Sequence, residues 1–218
     1  MKKRVVVTGL GAAVIAALVL LVPIASAAPG PQPVAPDQAQ ALIGAASPVA
    51  SSSVTRRVSP QEALASASAP GAVVSVAPGM SAAEAVGLAT VGGPVTPGST
   101  LVKPAAADYY GCESNVSGWH WGIWPYDQNI TDTTYWCAIY GVSITYRTTN
   151  VTATGTFCGT SWASSALISG GVGYTWFTMR ASAGWSCPTD IPWITLHPTH
   201  YLDTSHNAWG NSEQVRAG

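Results

Sequence analysis

Three of the four histidines in this 218-residue chain lie within one ten-residue segment, HPTHYLDTSH. A strict spacing of three joins the imidazoles to one carboxylate, in the series His197, His200, Asp203 and His206. Neutral imidazole and carboxylate are ligands of Zn²⁺ and Cu²⁺ in proteins. Because Pro198 disfavours helical backbone at the residue before it, any helix here begins after His197 and brings the other three side chains near one face.

The alternative interpretation of this spacing is a Zn²⁺ or Cu²⁺ site with His200 and His206 as the first ligands and Asp203 or His197 as the third. The preferred interpretation is a polar turn in which the histidines are solvated or hydrogen-bonded locally. Apart from this metal, no cofactor is expected.

A second set of residues suits binding by ring stacking. Trp and Tyr present a flat apolar face with a polar tip, and the C–H groups of sugar rings pack against such faces. Alternation along an extended chain places Trp119 and Trp121 on one side and His120 on the other. We therefore expect an exposed glycan-binding platform, with burial in the core as the alternative, at Trp119, Trp121, Trp124 and Tyr126.

The sequence contains no recognisable catalytic motif beside these residues. Serines are abundant, but none lies in a G-x-S-x-G elbow. A glycosidase needs two carboxylates about 5–10 Å apart, and the sequence does not bring any two acids together. A binding domain is therefore the preferred function. A secreted hydrolase or metal-dependent enzyme using residues 197–206 is the first alternative, and a structural envelope protein is the second.

The elements that position these residues are predicted to be β-strands. All aromatic residues, cysteines and histidines follow residue 107, and residues 108–218 alternate between apolar and polar positions in several segments. The pattern predicts one hairpin from 136–146 and 151–158, and a second, 162–168 with 174–179, around Gly170 and Gly171. Residues 193–196 form a shorter candidate strand. The predicted fold is a small, disulfide-bonded, antiparallel all-β sandwich or barrel.

Four cysteines in an exported chain are expected to be oxidised in pairs. In the predicted first hairpin, Cys137 and Cys158 lie on the same face as near-diagonal neighbours. This register favours Cys137–Cys158 with Cys112–Cys187. The sequential pairing, Cys112–Cys137 with Cys158–Cys187, is the open alternative.

The N-terminal half differs in composition. Residues 1–27 have the basic start, apolar stretch and small-residue end of a signal peptide, with an uncleaved membrane anchor as the alternative. Residues 28–107 are rich in Ala, Pro and Ser and contain no aromatic residue, which predicts a stalk, linker or propeptide that is disordered or marginally helical. Capping-box patterns begin three candidate helices within it, at Asp37, Ser59 and Ser81.

Charge limits the possible partners. Residues 108–218 contain three arginines and seven acidic residues, a formal charge of −4. A nucleic-acid partner requires a basic face, so this class is excluded. We expect a protein that is secreted or held in the cell envelope, that recognises cell-wall or extracellular glycan, and that meets a membrane only through an uncleaved N-terminal segment.

Overall fold

Two antiparallel β-sheets and three short helices account for the fold in the computed structural model, which describes residues 32–44, 52–90 and 111–218. The predicted signal peptide lies outside these residues. In chain order the elements are α1 (Pro36–Gly44), β1 (Ser52–Arg57), α2 (Pro60–Ala65), a 3-10 turn (Ser66–Ser68), β2 (Val73–Val76), α3 (Ala82–Thr90), β3 (Cys112–Trp121), β4 (Gln128–Ile139), β5 (Ser143–Gly155), β6 (Gly159–Gly170), β7 (Trp176–Pro188), β8 (Thr195–Leu196), β9 (Thr199–Asn207) and β10 (Ser212–Ala217).

The strands form two sheets, which confirms the predicted antiparallel all-β class. Sheet I has the order β1-β3-β4-β5-β2, and sheet II has the order β10-β9-β7-β6, with β8 paired to β7. Side chains alternate between the two faces of each strand, and those facing the opposite sheet form the interior. Trp136 from sheet I packs edge-on against Phe177 from sheet II, with ring centroids 6.3 Å apart.

The predicted first hairpin is wrong in its turn. The chain reverses after Ile139, at Tyr140-Gly141-Val142, and β5 runs straight through residues 148–150. Gly141 adopts φ 68°, a left-handed conformation that glycine reaches without steric cost. The second predicted hairpin is confirmed as β6 and β7, joined by a turn with positive φ at Gly170 and Gly171. The candidate strand at 193–196 is reduced to the two residues of β8.

The preferred cysteine pairing depended on that hairpin and is also wrong. The disulfides are sequential, Cys112–Cys137 and Cys158–Cys187. Cys112 lies directly opposite Cys137 in the β3–β4 ladder. On the other side of β4, the residue opposite Cys137 is Tyr146, and Cys158 lies beyond the end of β5.

The described parts of the segment predicted to be a linker or stalk form helices and strands. Strand β1 pairs with β3 and β2 pairs with β5, so both edges of sheet I come from this segment. Helices α2 and α3 cover the outer face of sheet I, where the Tyr146 hydroxyl donates to the carbonyl of Ala63 at 2.9 Å. Helix α1 buries Ala39 and Ile43 against the core.

Helices α2 and α3 begin where the capping patterns predict, directly after Ser59 and Ser81, whereas α1 begins at Pro36, one residue before Asp37. The Ser59 hydroxyl accepts a hydrogen bond from the Glu62 amide at 3.1 Å. The Glu84 carboxylate accepts from the Ser81 amide at 2.7 Å, and the Ser81 hydroxyl accepts from the Glu84 amide at 3.3 Å. These reciprocal bonds satisfy amides that the first turn of a helix leaves without partners. None of the helices in the described part of the chain has both the length and the apolar character needed to cross a bilayer.

Candidate functional site

The predicted metal ligands do not converge. Residues 199–207 form strand β9 and not a helix, so His200 and His206 face sheet I while Asp203 faces outward. Six residues of strand separate the two histidines by about 20 Å. His197 precedes the strand and is exposed. The described residues contain no group of three or more His, Cys, Asp or Glu side chains that could hold a metal ion.

His200 and Asp203 each have a structural partner. His200 stacks on Trp121, with centroids 4.6 Å apart, and burial lowers the pKa of its imidazole. Asp203 accepts hydrogen bonds from Arg180 at 2.7 and 2.8 Å and from Arg216 at 3.1 Å. Burial opposes ionisation of Asp203, but the two guanidinium groups outweigh it and lower the pKa of the carboxyl.

His206 is buried within a polar chain between the sheets. The Thr204 hydroxyl donates to Asp132 at 2.8 Å and lies 3.1 Å from Nε2 of His206. Since the Thr204 hydrogen is used on the Asp132 carboxylate, the imidazole donates to Thr204 from Nε2. Burial lowers the pKa of His206 to about 3 and raises the pKa of Asp132 to about 6, although the threonine hydrogen bonds to Asp132 oppose the latter.

The predicted aromatic platform is not assembled at the surface. Trp121 and Tyr126 are fully buried, and Trp119 is half-buried against the same core. The Tyr126 hydroxyl donates to the carbonyl of Pro188 at 2.9 Å. Trp124 alone of the four is exposed, at 64%. The alternative interpretation, in which these rings fill the core, holds for Trp121 and Tyr126.

A concave site of different composition lies where two hairpin turns meet at the end of the sandwich. The turn between β4 and β5 contacts the turn between β9 and β10 through a hydrogen bond from the Gly141 amide to the carbonyl of Ala208, 3.0 Å. The start of β3 and the end of β1 complete the cleft. Its lining residues are Arg57, Gly111, Glu113, Trp136, Ala138, Tyr140, Ala208, Trp209 and Gly210.

Glu113 is the acidic residue of this cleft. It stands between Arg57 on β1 and Trp136 on β4, directly opposite both in the ladders. Its carboxylate oxygen Oε1 lies 3.6 Å from Nε of Arg57, and 13% of its side chain is exposed. A β-carbon on Gly210 would come within 2.8 Å of Oε1, so the bare backbone there lets the carboxyl lie against the turn. Burial raises the pKa of Glu113 to about 7, and the Arg57 charge opposes the rise.

Two exposed aromatic residues border this carboxyl. Trp209 is 48% exposed and Tyr140 is 54% exposed. The indole of Trp209 packs against Gly141, where a β-carbon would come within 3.0 Å of its Nε1. The floor is rigid, because Nε1 of the buried Trp136 donates to the carbonyl of Asn207 at 3.0 Å. We call Glu113, Arg57, Tyr140 and Trp209 the Glu113 cleft.

The chemistry open to this arrangement is recognition of a polar, ring-shaped ligand. A carboxyl with a pKa near neutral can donate or accept a hydrogen bond, and Arg57 adds fixed donors. The same carboxyl can also transfer a proton to or from a bound ligand. Hydrolysis of a glycosidic bond by a pair of carboxylates is not supported, since Glu113 is the one carboxyl among the lining residues.

The sequence contains a signal for this site outside the recognised motifs. Tyr140-Gly141 and Trp209-Gly210 are both aromatic-glycine pairs, and each lies in a hairpin turn. In both pairs the ring is exposed beside a glycine in a turn, whereas Trp121, which also precedes a glycine with positive φ, is the last residue of β3 and is buried. Comparison of the chain with protein-family models, curated proteins and solved structures finds no match in any of the three.

Proposed function

We propose that this protein binds carbohydrate outside the cell or within the cell envelope, and that the Glu113 cleft is the binding site. The observation that carries the proposal is a shielded carboxyl bordered by two exposed aromatic rings in one concavity. Carbohydrate sites combine flat apolar surface for ring C–H groups with a small number of polar groups that fix orientation.

The contacts divide the recognition between two kinds of group. The faces of Tyr140 and Trp209 offer stacking surface, and each such contact contributes about 0.5–1.5 kcal/mol beyond area burial. Glu113 and Arg57 offer hydrogen bonds to ring hydroxyls. Because the Glu113 pKa is about 7, its protonated and ionised forms coexist near neutral pH, so it serves hydroxyls as either donor or acceptor.

The placement outside the cytosol is supported by the disulfides. Both pairs of cysteines are bonded, and the described residues contain no free cysteine. Disulfides persist in oxidising compartments and are rare in the cytosol. Export itself rests on the composition of residues 1–27.

A hydrolase that uses Glu113 as a single general acid, without a second carboxylate, is the second candidate, and the pKa of Glu113 is the observation that favours it. A general acid works best when its pKa is close to the working pH, and burial gives Glu113 that property. A glycan that is bound and then cleaved, with cleavage lost in Glu113→Gln, would favour this candidate over simple binding.

The test is a glycan array and a cell-wall pull-down with the full chain, produced under oxidising conditions. For a glycan that binds, we expect Trp209→Ala and Tyr140→Ala each to weaken affinity about tenfold, since one lost stacking contact amounts to about 1.4 kcal/mol. Trp193→Ala is the matched control, because Trp193 is 84% exposed and does not line the cleft. Absence of any glycan ligand, or binding that survives the Trp209→Ala/Tyr140→Ala double variant, would refute the proposal.

A further inference from the structure

Strand β6 is the terminal strand of sheet II, and its second edge has no strand partner among the described residues. The strand is twelve residues long and is exposed along most of its length. Its large apolar side chains share this exposure: Trp162 is 45%, Leu167 42% and Ile168 45% exposed. A row of unpaired backbone N–H and C=O groups on such an edge is a template for pairing with another strand.

The other terminal strands carry features that discourage such pairing. Strand β1 ends in Arg56 and Arg57, and β10 contains Glu213 and Arg216. Strand β2 has only four residues. Charged side chains and short length are the usual protections of an exposed edge. Strand β6 has neither protection, and the whole segment 148–179 contains no charged residue.

The side chains of β6 follow a pattern that fits a copy of itself. Four small residues, Ala163-Ser164-Ser165-Ala166, lie between Trp162 and Leu167. Irregularities in the ladder to β7 flank this stretch on both sides, so residues 162–167 form its regular part. In an antiparallel pair centred on Ser164, the large residues at both ends of this stretch each lie opposite a small residue of the other strand.

We propose that β6 pairs antiparallel with β6 of a second copy of this chain, which extends sheet II across a two-fold axis at Ser164. The axis places Trp162 of each copy opposite Ala166 of the other on the outer face, and Ala163 opposite Ser165 on the inner face. The interface is isologous, the commonest form in soluble homodimers.

The choice of a second copy follows from charge. Two β6 strands present no like charges to each other, because neither carries any charge. A charged partner strand would find no complementary charge on this edge. The arrangement of large side chains at both ends and small ones in the centre is complementary to the same strand in the reverse direction. A two-fold axis supplies that direction.

The first test is the molar mass of the full chain, measured by light scattering over about a hundredfold range of concentration. We expect a dimer that dissociates on dilution. Ser164→Lys sets two ammonium groups against each other at the axis and is expected to leave a monomer. Thr152→Lys is the control, since Thr152 is exposed on the outer face of sheet I. A monomer at every concentration, or a dimer that Ser164→Lys leaves intact, would overturn the proposal.

A second variant tests the same pairing in case Ser164→Lys loses its dimer through misfolding. Residues paired across an antiparallel ladder have Cα atoms about 4.5–5.5 Å apart, within the range of a disulfide. Ser164→Cys is therefore expected to give a covalent dimer on oxidation, whereas Thr152→Cys is not. Equal cross-linking of the two variants, or none in either, would contradict pairing at β6.

Discussion

The imidazole of His200 lies flat against the indole of Trp121, with the ring centroids 4.6 Å apart and the planes inclined by 8°. The spacing of His200 suggested a metal ligand, and the position of Trp121 suggested part of an exposed glycan-binding platform. The contact between β9 and β3 assigns both to the core, together with Trp185, whose ring centroid is 5.8 Å from that of His200. Burial of the pair therefore has a measurable consequence for stability.

Replacing Trp121 with alanine is expected to destabilise the protein by about 3–5 kcal/mol, because it removes a fully buried ring and leaves a cavity. Trp119→Ala is expected to cost clearly less, since that ring is only half-buried. Urea unfolding of the oxidised protein measures both. Equal losses for the two variants would contradict the burial difference.

The disulfide connectivity is open to direct measurement. Proteolysis without reduction, followed by mass spectrometry, is expected to yield peptides that link Cys112 to Cys137 and Cys158 to Cys187. The bonded cysteines are 25 and 29 residues apart in sequence. Each bond is expected to contribute about 2–4 kcal/mol to the free energy of unfolding by restricting the unfolded chain. A Cys158 to Cys137 peptide would disprove the β4–β5 register.

The fold class was predictable because alternation of apolar and polar residues is a local signal. The turn at Gly141 was not, since the period of two continues on both sides of it and a single glycine inside a strand pattern also fits a bulge. The error in the turn then led to the error in the cysteine pairing. Residues 199–207 show a related ambiguity: a spacing of three fits part of a helix face, and only the ladder with β7 decides for a strand.

Composition did not predict the strands that residues 52–90 contribute. Composition correctly indicates that these residues cannot form a core alone, because they contain no aromatic residue. They share a hydrophobic core with sheet I. There Val58, Ala63, Val86 and Ala89 pack on Tyr146 and the Cys112–Cys137 disulfide. The Glu113 cleft was not predicted either, because two hairpin turns, the end of β1 and the start of β3, all distant in sequence, build it.

Glu113→Gln is expected to stabilise the protein at alkaline pH. The pKa of Glu113 is raised to about 7, so between about pH 4.5 and 7 the native state binds more protons than the unfolded state. Wild-type stability therefore falls as pH rises through this window, and glutamine removes that loss. We expect the variant to exceed the wild type by about 1–2 kcal/mol at pH 8, with the advantage vanishing near pH 4. A constant difference across this range would contradict the raised pKa.

His206→Phe tests the buried imidazole, whose pKa is lowered by burial, whereas burial raises the pKa of Glu113. Burial lowers the pKa of His206 to about 3, below its ordinary value near 6.5. Between these values the unfolded state binds more protons, so the wild type loses stability as pH falls from 6.5 towards 3. Phenylalanine keeps the ring between Trp136 and Phe177 but cannot be protonated.

The informative quantity is the difference in unfolding free energy between the two proteins at each pH, in which other titrating groups largely cancel. We expect this difference to move by about 2 kcal/mol in favour of His206→Phe between pH 6.5 and pH 5. The loss of the hydrogen bond to Thr204 shifts the curves by a constant and leaves this slope unchanged. Parallel curves for the two proteins would contradict the lowered pKa of the buried His206 imidazole.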